Sequence, residues 1–313
     1  MEERTQRRAS FNDATITNST NHLSTPCQSA GAISNLCSAT LGAGALSLPY
    51  AFSLTGLIPG VILLLLSGYL TILSIDIIII SCVKTNLFKY EDVAVRLAGR
   101  TAGRALEASL LVFCFGTAVA YIVAVGDILD QFVRSLNDSL GSDKESTLMT
   151  IYSRDRVMVL FWLLVMFPLS LQRHVEGLKR FSSVGVLSII FLVLAAVIHS
   201  IQHGDILGTT IRDSDQNKNT NDIVTLLWPN SFWDVVQAFP IMIFAFSCQV
   251  NVCAIFEELK SPGDIVSNHD SILIKERMMK RIIRSGISLC ITLYLAIGIF
   301  GYLDFAHQTV SGT

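Results

Sequence analysis

Seven long apolar runs govern what this chain can fold into. They extend roughly over 29 to 55, 56 to 83, 106 to 133, 157 to 171, 181 to 200, 233 to 257 and 285 to 303. A bilayer core of about 30 Å needs about 20 such residues in a helix, and in lipid each backbone N–H and C=O must find its partner within the protein. The expected fold class is therefore an all-α membrane protein of seven transmembrane helices. The run at 157 to 171 is short for a span, so its ends are expected to reach into the flanking segments. Charged residues make up only 15% of the chain, against about 25% in a soluble domain. Residues 1–27 are polar, rich in Ser, Thr and Asn, and read as a disordered cytoplasmic tail, while 28–313 read as the transmembrane domain.

The polar segments set the orientation. Of the 23 Lys and Arg residues, 17 lie on the side of the N-terminus and 6 on the other, which places the N-terminus in the cytoplasm. The basic and acidic residues sit almost wholly between the spans with a net charge of −2, so no basic face exists for nucleic acid. The seven cysteines, Cys27, Cys37, Cys82, Cys114, Cys248, Cys253 and Cys290, lie in spans or in the tail, and no disulfide framework is expected. Asn137-Asp138-Ser139 is a glycosylation sequon in the expected outer loop, although Asn18-Ser19-Thr20 is a second one on the inner side. The segment 90 to 104 puts Tyr90, Val93 and Leu97 on one helical stripe, opposite Arg96 and Arg100, and reads as a short helix on the inner surface.

Two spans are interrupted. The first contains Gly42-Ala43-Gly44 near its midpoint and then Pro49, whose missing N–H leaves the carbonyl of Ala45 without its helical donor. The sixth contains Pro240 and then the run Phe244 to Asn251, in which Ser247, Cys248, Gln249 and Asn251 are polar or weakly polar groups in an otherwise apolar helix. The two interruptions fall at matching depth, five helices apart. Small residues also let membrane helices pack closely, and either break alone is more simply explained that way. The matched pair favours binding, because transporters with inverted five-helix repeats hold solute between two such broken helices.

The ends created by the breaks suggest the ligand. A half-helix starting near Ala45 would turn the N–H groups of Ala43, Gly44 and Ala45 toward a carboxylate. A half-helix ending near Phe246 would offer carbonyls to an ammonium group or a cation. Such a site recognises a zwitterion without a charged side chain, and neither break contains one.

At these residues the chain resembles the amino acid/auxin permease family of the amino acid–polyamine–cation superfamily. The resemblance is carried by NLCSATLGAGALSLPYAF from Asn35, YEDVAVRLAGRTAGR from Tyr90 and FAFSCQVNVCAIFEEL from Phe244, with the last run most like protozoan parasite members. It implies a LeuT-like fold of five plus five helices, and alternating-access transport of free amino acids, coupled to H+ or Na+ or facilitated. Carried over by position, the substrate-binding residues are Ala39, Thr40, Leu41, Gly42, Ala43 and Gly44 with Phe246, Ser247 and Cys248. Where the sodium-coupled branch commonly has Asn, four positions before the first glycine, this chain has Ser38, which turns the expectation toward proton coupling or facilitated movement. Family members usually carry about eleven helices. Seven are expected here, equivalent to the first repeat and two helices of the second, so the transmembrane domain is expected to be incomplete at its C-terminus. The plasma membrane or a lysosomal or vacuolar membrane is the expected location.

Tyr121, near the middle of the third span, is a possible gate or substrate contact and equally a packing residue. Asp76 and Asp127 are costly at membrane depth, but both fall toward the ends of their spans, where a solvated or locally bonded role is favoured over proton coupling. The histidines have no metal-ligand spacing, and no nucleophile elbow, phosphate loop or HExxH helix occurs, so neither an enzyme nor a cofactor is expected. Three further readings compete with transport. A seven-helix receptor would need the opposite orientation of the termini. A sensor would bind an amino acid through the same fold and signal through the tail. A truncated, non-transporting product is the last.

Overall fold

The computed structural model describes residues 26–140, 154–170, 178–202, 227–229, 231–259 and 268–311. Residues 1–25 and the stretches 141–153, 171–177, 203–226 and 260–267, with Asn18, His174 and His203 among them, lie outside the described residues. Every described element is helical. In order they are α1 (Pro26–Thr40), α2 (Ala43–Thr55), α3 (Leu57–Thr85), α4 (Tyr90–Leu140), α5 (Arg154–Phe161), a π-helical turn (Trp162–Met166), α6 (Phe167–Ser170), α7 (Leu178–Gln202), α8 (Phe232–Ala245), α9 (Gln249–Glu258) and α10 (Asn268–Ser311).

Five described helices are long and apolar enough to cross a membrane, and six if the bent pair α1–α2 is one span. This is a multi-pass membrane protein. The expected first and second spans appear as α1–α2 and α3, the third in α4, the fifth in α7, the sixth as α8–α9 and the seventh in α10. The fourth, expected at 157 to 171, consists of three consecutive pieces of 8, 5 and 4 residues and is not among the helices of spanning length.

The helices form two compact units. The first comprises the described residues up to Arg96 and from Lys179 onward. Its core is assembled from Leu48 and Phe52 of α2, Leu64 and Ile75 of α3, Met242 and Phe246 at the end of α8, and Met279, Ile283 and Tyr294 of α10, all fully buried. α3 shows how a helix apolar on every face selects its inner side. Gly60, Leu64, Ser67, Gly68, Thr71, Ile75 and Cys82 form the buried stripe, while Ile62, Leu65, Leu66, Tyr69, Leu70 and Ile77 are exposed. The small and weakly polar residues turn inward because lipid solvates large aliphatic side chains as well as the core does, so close packing decides the interface.

The second unit is Leu97–Leu178. Here most of α4 is exposed, including Leu111, Val112, Phe115 and Phe132. Gly126 meets Met158 of α5, where a Cβ would lie 2.6 Å from the Met sulfur. Ile122, Met158, Val159 and Trp162 line a cavity of about 470 Å³ with almost wholly apolar walls.

The expected surface helix over 90 to 104 ends earlier. Gly99 takes φ 87°, ψ 171°, a backbone conformation that L side chains rarely adopt, and breaks α4 there. Tyr90 and Val93 turn toward the first unit, with Val93 buried, whereas Leu97 is exposed like Arg96 and Arg100. Asn137 lies in the last turns of α4 rather than in a loop.

Candidate functional site

The first break is shorter than the run of glycines and proline suggests. α1 ends at Thr40 and α2 begins at Ala43, the two halves meeting at 54°. Only Leu41 and Gly42 are outside helix, with Gly42 extended at φ −130°, ψ −150°. Pro49 sits inside α2 without ending it. Its ring packs against Gly301 of α10, where a Cβ would come 2.7 Å from the ring Cγ, so the glycine supplies the space that the proline occupies. The start of α2 also shifts the expected amide donors. Ala45 N–H donates to the carbonyl of Gly42 at 3.0 Å, which leaves the first-turn amides of Ala43 and Gly44 as the ones without an intrahelical acceptor.

The second break lies at Phe246–Cys248, six residues beyond Pro240. α8 closes with Phe246 N–H on the carbonyl of Ile243 and Ser247 N–H on that of Phe244, both 3.1 Å, and Cys248 N–H donates to the carbonyl of Phe246 at 2.9 Å. The tight turn through Phe246, Ser247 and Cys248 reorients the chain before α9 starts at Gln249.

The two breaks are neighbours. A Cβ placed on Gly44 would lie 2.5 Å from Cα and 2.9 Å from Cβ of Ala245, so the first turn of α2 touches the last residue of α8. Thr40, Leu41 and Gly44 are buried, Ala39 and Gly42 half-buried; Phe246 and Cys248 are fully buried, and Ser247 half-buried with a long hydrogen bond of 3.4 Å to the carbonyl of Ile243. Cys248 lies beside Thr40, joining the end of α1 to the turn after α8.

A residue that the pattern of breaks did not single out holds them together. The hydroxyl of Tyr294, in the middle of α10, lies 2.8 Å from the carbonyl oxygen of Thr40 and 2.7 Å from that of Ala245. Each is the last residue of the helix half before a break. The ring is fully buried and stands edge-on to Phe246, centroids 5.1 Å apart at 74°. α10 runs along the whole interrupted helix, with Gly286 against Leu36 of α1 and Gly298 against Phe52 of α2. A lone tyrosine at mid-membrane was the available signal, since its hydroxyl needs a partner that lipid does not provide.

Of the other candidates, Tyr121 belongs to the second unit, where it is 37% exposed. Asp76 is half-buried on α3 and Asp127 is exposed on α4. Cys37, Cys82, Cys114, Cys248, Cys253 and Cys290 carry no disulfide, and among the described residues no group of three or more His, Cys, Asp or Glu could hold a metal ion.

The family described as transmembrane amino acid transporter protein matches residues 28–312. The chain belongs to this family. As the three sequence motifs imply, it is a family of transporters and not of enzymes. The chain is 26% identical over 288 residues to the amino acid transporter AVT6C of Arabidopsis thaliana, covering 90% of this chain and 60% of that one. It is 25% identical over 281 residues to the sodium-coupled neutral amino acid transporter 7 of Danio rerio, covering 90% and 55%. Against the vacuolar amino acid transporter 5 of Schizosaccharomyces pombe it is 27% identical over 272 residues, covering 87% and 56%. The chain thus spans little more than half the length of these family members. No solved structure matches it significantly.

Proposed function

We propose that the protein moves free amino acids across a membrane by alternating access, with the substrate held between the breaks at Ala39 to Gly44 and Phe246 to Cys248. The contact of Gly44 with Ala245 carries this reading, because it brings the start of one half-helix against the end of another. The amides of Ala43 and Gly44 are the carboxylate subsite, and the carbonyls of Thr40 and Ala245 are the ammonium subsite. Membership of an amino acid transporter family supports the substrate class, and the relatives named as amino acid transporters extend it. Tyr121 is proposed as a gate.

The finer architecture follows from the same reading. The broken spans are the first and sixth of a five-plus-five, LeuT-like plan, the stretch 157 to 171 is the fourth of seven spans, and the N-terminus faces the cytoplasm. Ser38 in place of the Asn of the sodium-coupled branch favours a proton gradient as the driving force. A vacuolar or lysosomal membrane fits that choice and the plasma membrane is the alternative.

The test is uptake of single radiolabelled amino acids into proteoliposomes carrying the full-length protein, under a proton gradient, a sodium gradient and neither. Saturable uptake of at least one amino acid, raised by the proton gradient, is expected. Absence of saturable uptake for every amino acid under all three conditions overturns the proposal.

A further inference from the structure

We infer that the Tyr294 hydroxyl competes with the substrate's ammonium group for the carbonyls of Thr40 and Ala245, closing the two breaks on each other until an amino acid displaces it. This inference rests on the transport reading and adds a positioning residue on a third helix.

The argument begins with protons. Tyr294 Oη reaches two carbonyl oxygens, those of Thr40 and Ala245, at 2.8 and 2.7 Å. A phenol has one proton, so it serves one of them fully or divides itself between them. An ammonium group has three, enough for both carbonyls with one left over. It also carries a charge, which makes each bond stronger than a neutral one. The two carbonyls belong to the residues that end α1 and α8, where helix geometry leaves terminal carbonyls needing donors and the dipoles favour a cation. The phenol is thus the weaker ligand for a pair of acceptors better matched to an ammonium.

The surroundings fit an exchange. The Tyr294 ring is fixed by Phe246 edge-on at 5.1 Å and by full burial, so the hydroxyl is presented without much rotamer freedom. Phe246 itself forms the turn of the second break, and its ring end comes 3.5 Å from the position of a Cβ on Gly68 of α3. A displaced hydroxyl therefore couples the occupant of the subsite to the turn of the sixth helix through an aromatic contact. The hydroxyl donates to carbonyls at two helix ends, where intrahelical donors run out, which lowers the cost of returning without cargo.

Tyr294→Phe separates these roles because it keeps the ring and removes only the proton. Three readings are taken on the full-length protein: the dissociation constant of the transported amino acid, net uptake, and exchange across vesicles loaded with the same amino acid. Loss of the competitor is expected to tighten binding about two- to tenfold, the weight of one neutral hydrogen bond. Net uptake should fall by a similar factor, since it includes the empty return, while exchange remains within twofold of wild type. A merely structural role would lower net uptake and exchange together. Equal loss in both, or weaker binding in Tyr294→Phe, overturns the inference. The wild-type protein gives a second reading that needs no variant. Saturating amino acid should shift the phenol C–O infrared band of ring-labelled tyrosine, and a band that does not move overturns it as well. Wild-type protein that neither binds nor transports amino acids overturns the transport reading itself, a result distinct from any of these.

Discussion

The hydroxyl of Tyr294 lies 2.7 Å from the carbonyl oxygen of Ala245, and that single bond joins the uninterrupted helix α10 to the broken end of α8. The same hydroxyl reaches Thr40 at the end of α1, so two discontinuities far apart in sequence converge on one buried side chain. A helix end inside a membrane has orphan carbonyls that lipid cannot satisfy. Here a third helix is among the groups that meet them, which explains how two interrupted spans coexist in one core.

Gly44 is the point of closest approach, with an added Cβ 2.5 Å from Cα of Ala245. Gly44→Ala is expected to cost about 1–3 kcal/mol through overpacking against backbone that cannot rotate away. Gly31→Ala, with nothing within 4 Å, should be neutral or mildly stabilising. Thermal unfolding of both variants in detergent checks the contrast, and equal midpoints would remove the contact from the account. Gly44 variants report the packing of the breaks before they report binding.

Gly56 and Gly99 have similar positive φ, 74° and 87°, in different settings. A Cβ on Gly56 would lie 2.8 Å from the carbonyl oxygen of Leu227, whereas one on Gly99 would meet nothing within 4 Å. Gly99→Ala should cost about 1–3 kcal/mol from backbone conformation alone. Gly56→Ala should cost more, because a steric term is added. Folded yield and thermal midpoint of the pair would show the order.

Cys82 of α3 and Cys253 of α9 place their sulfur atoms 3.5 Å apart. A membrane-permeant two-electron oxidant should remove two protons and two electrons and join them. Proteolysis within the segment between α3 and α9 then leaves two fragments that stay together until reduced. Cys114, exposed in the second unit, serves as the unpaired control when mutated to Ser. Fragments that separate without reductant would place α3 and α9 further apart than described here.

Ser67 is buried at 2%, and among the described residues its hydroxyl has no hydrogen-bond partner. An unsatisfied hydroxyl costs about 1–3 kcal/mol, so Ser67→Ala should raise thermal stability or leave it unchanged. A clear loss of stability would mean that the hydroxyl has a partner in the membrane.

All the expected spans but the fourth, and both breaks, were legible because membrane helices declare themselves by length and their interruptions by Gly, Pro and polar residues. The end of the first span at Thr55 and the start of the second at Leu57 fall within a residue or two of the apolar runs. Three features were not legible. Pro49 reads as a breaker, yet α2 passes through it because Gly301, 252 positions along the chain, makes room for the ring. Gly99 lies in a polar stretch whose helical stripe continues past it, so periodicity carried the surface helix too far. Tyr294 is a single residue in an apolar run, and which acceptors it finds depends on three helices meeting. Local pattern locates the breaks, but the partner of a break is a tertiary fact.

Ser247 offers the most direct test of the claim that amino acids are held between the two breaks. It lies in the second break, half-buried, and makes only a long hydrogen bond to its own helix, so a large side chain there fills the site without cutting into the packed core. The measurement is equilibrium binding of the transported amino acid to full-length wild type, Ser247→Trp and Ala39→Trp at matched thermal stability. Loss of binding by at least tenfold in both variants is predicted, and wild-type affinity retained in both would contradict the account.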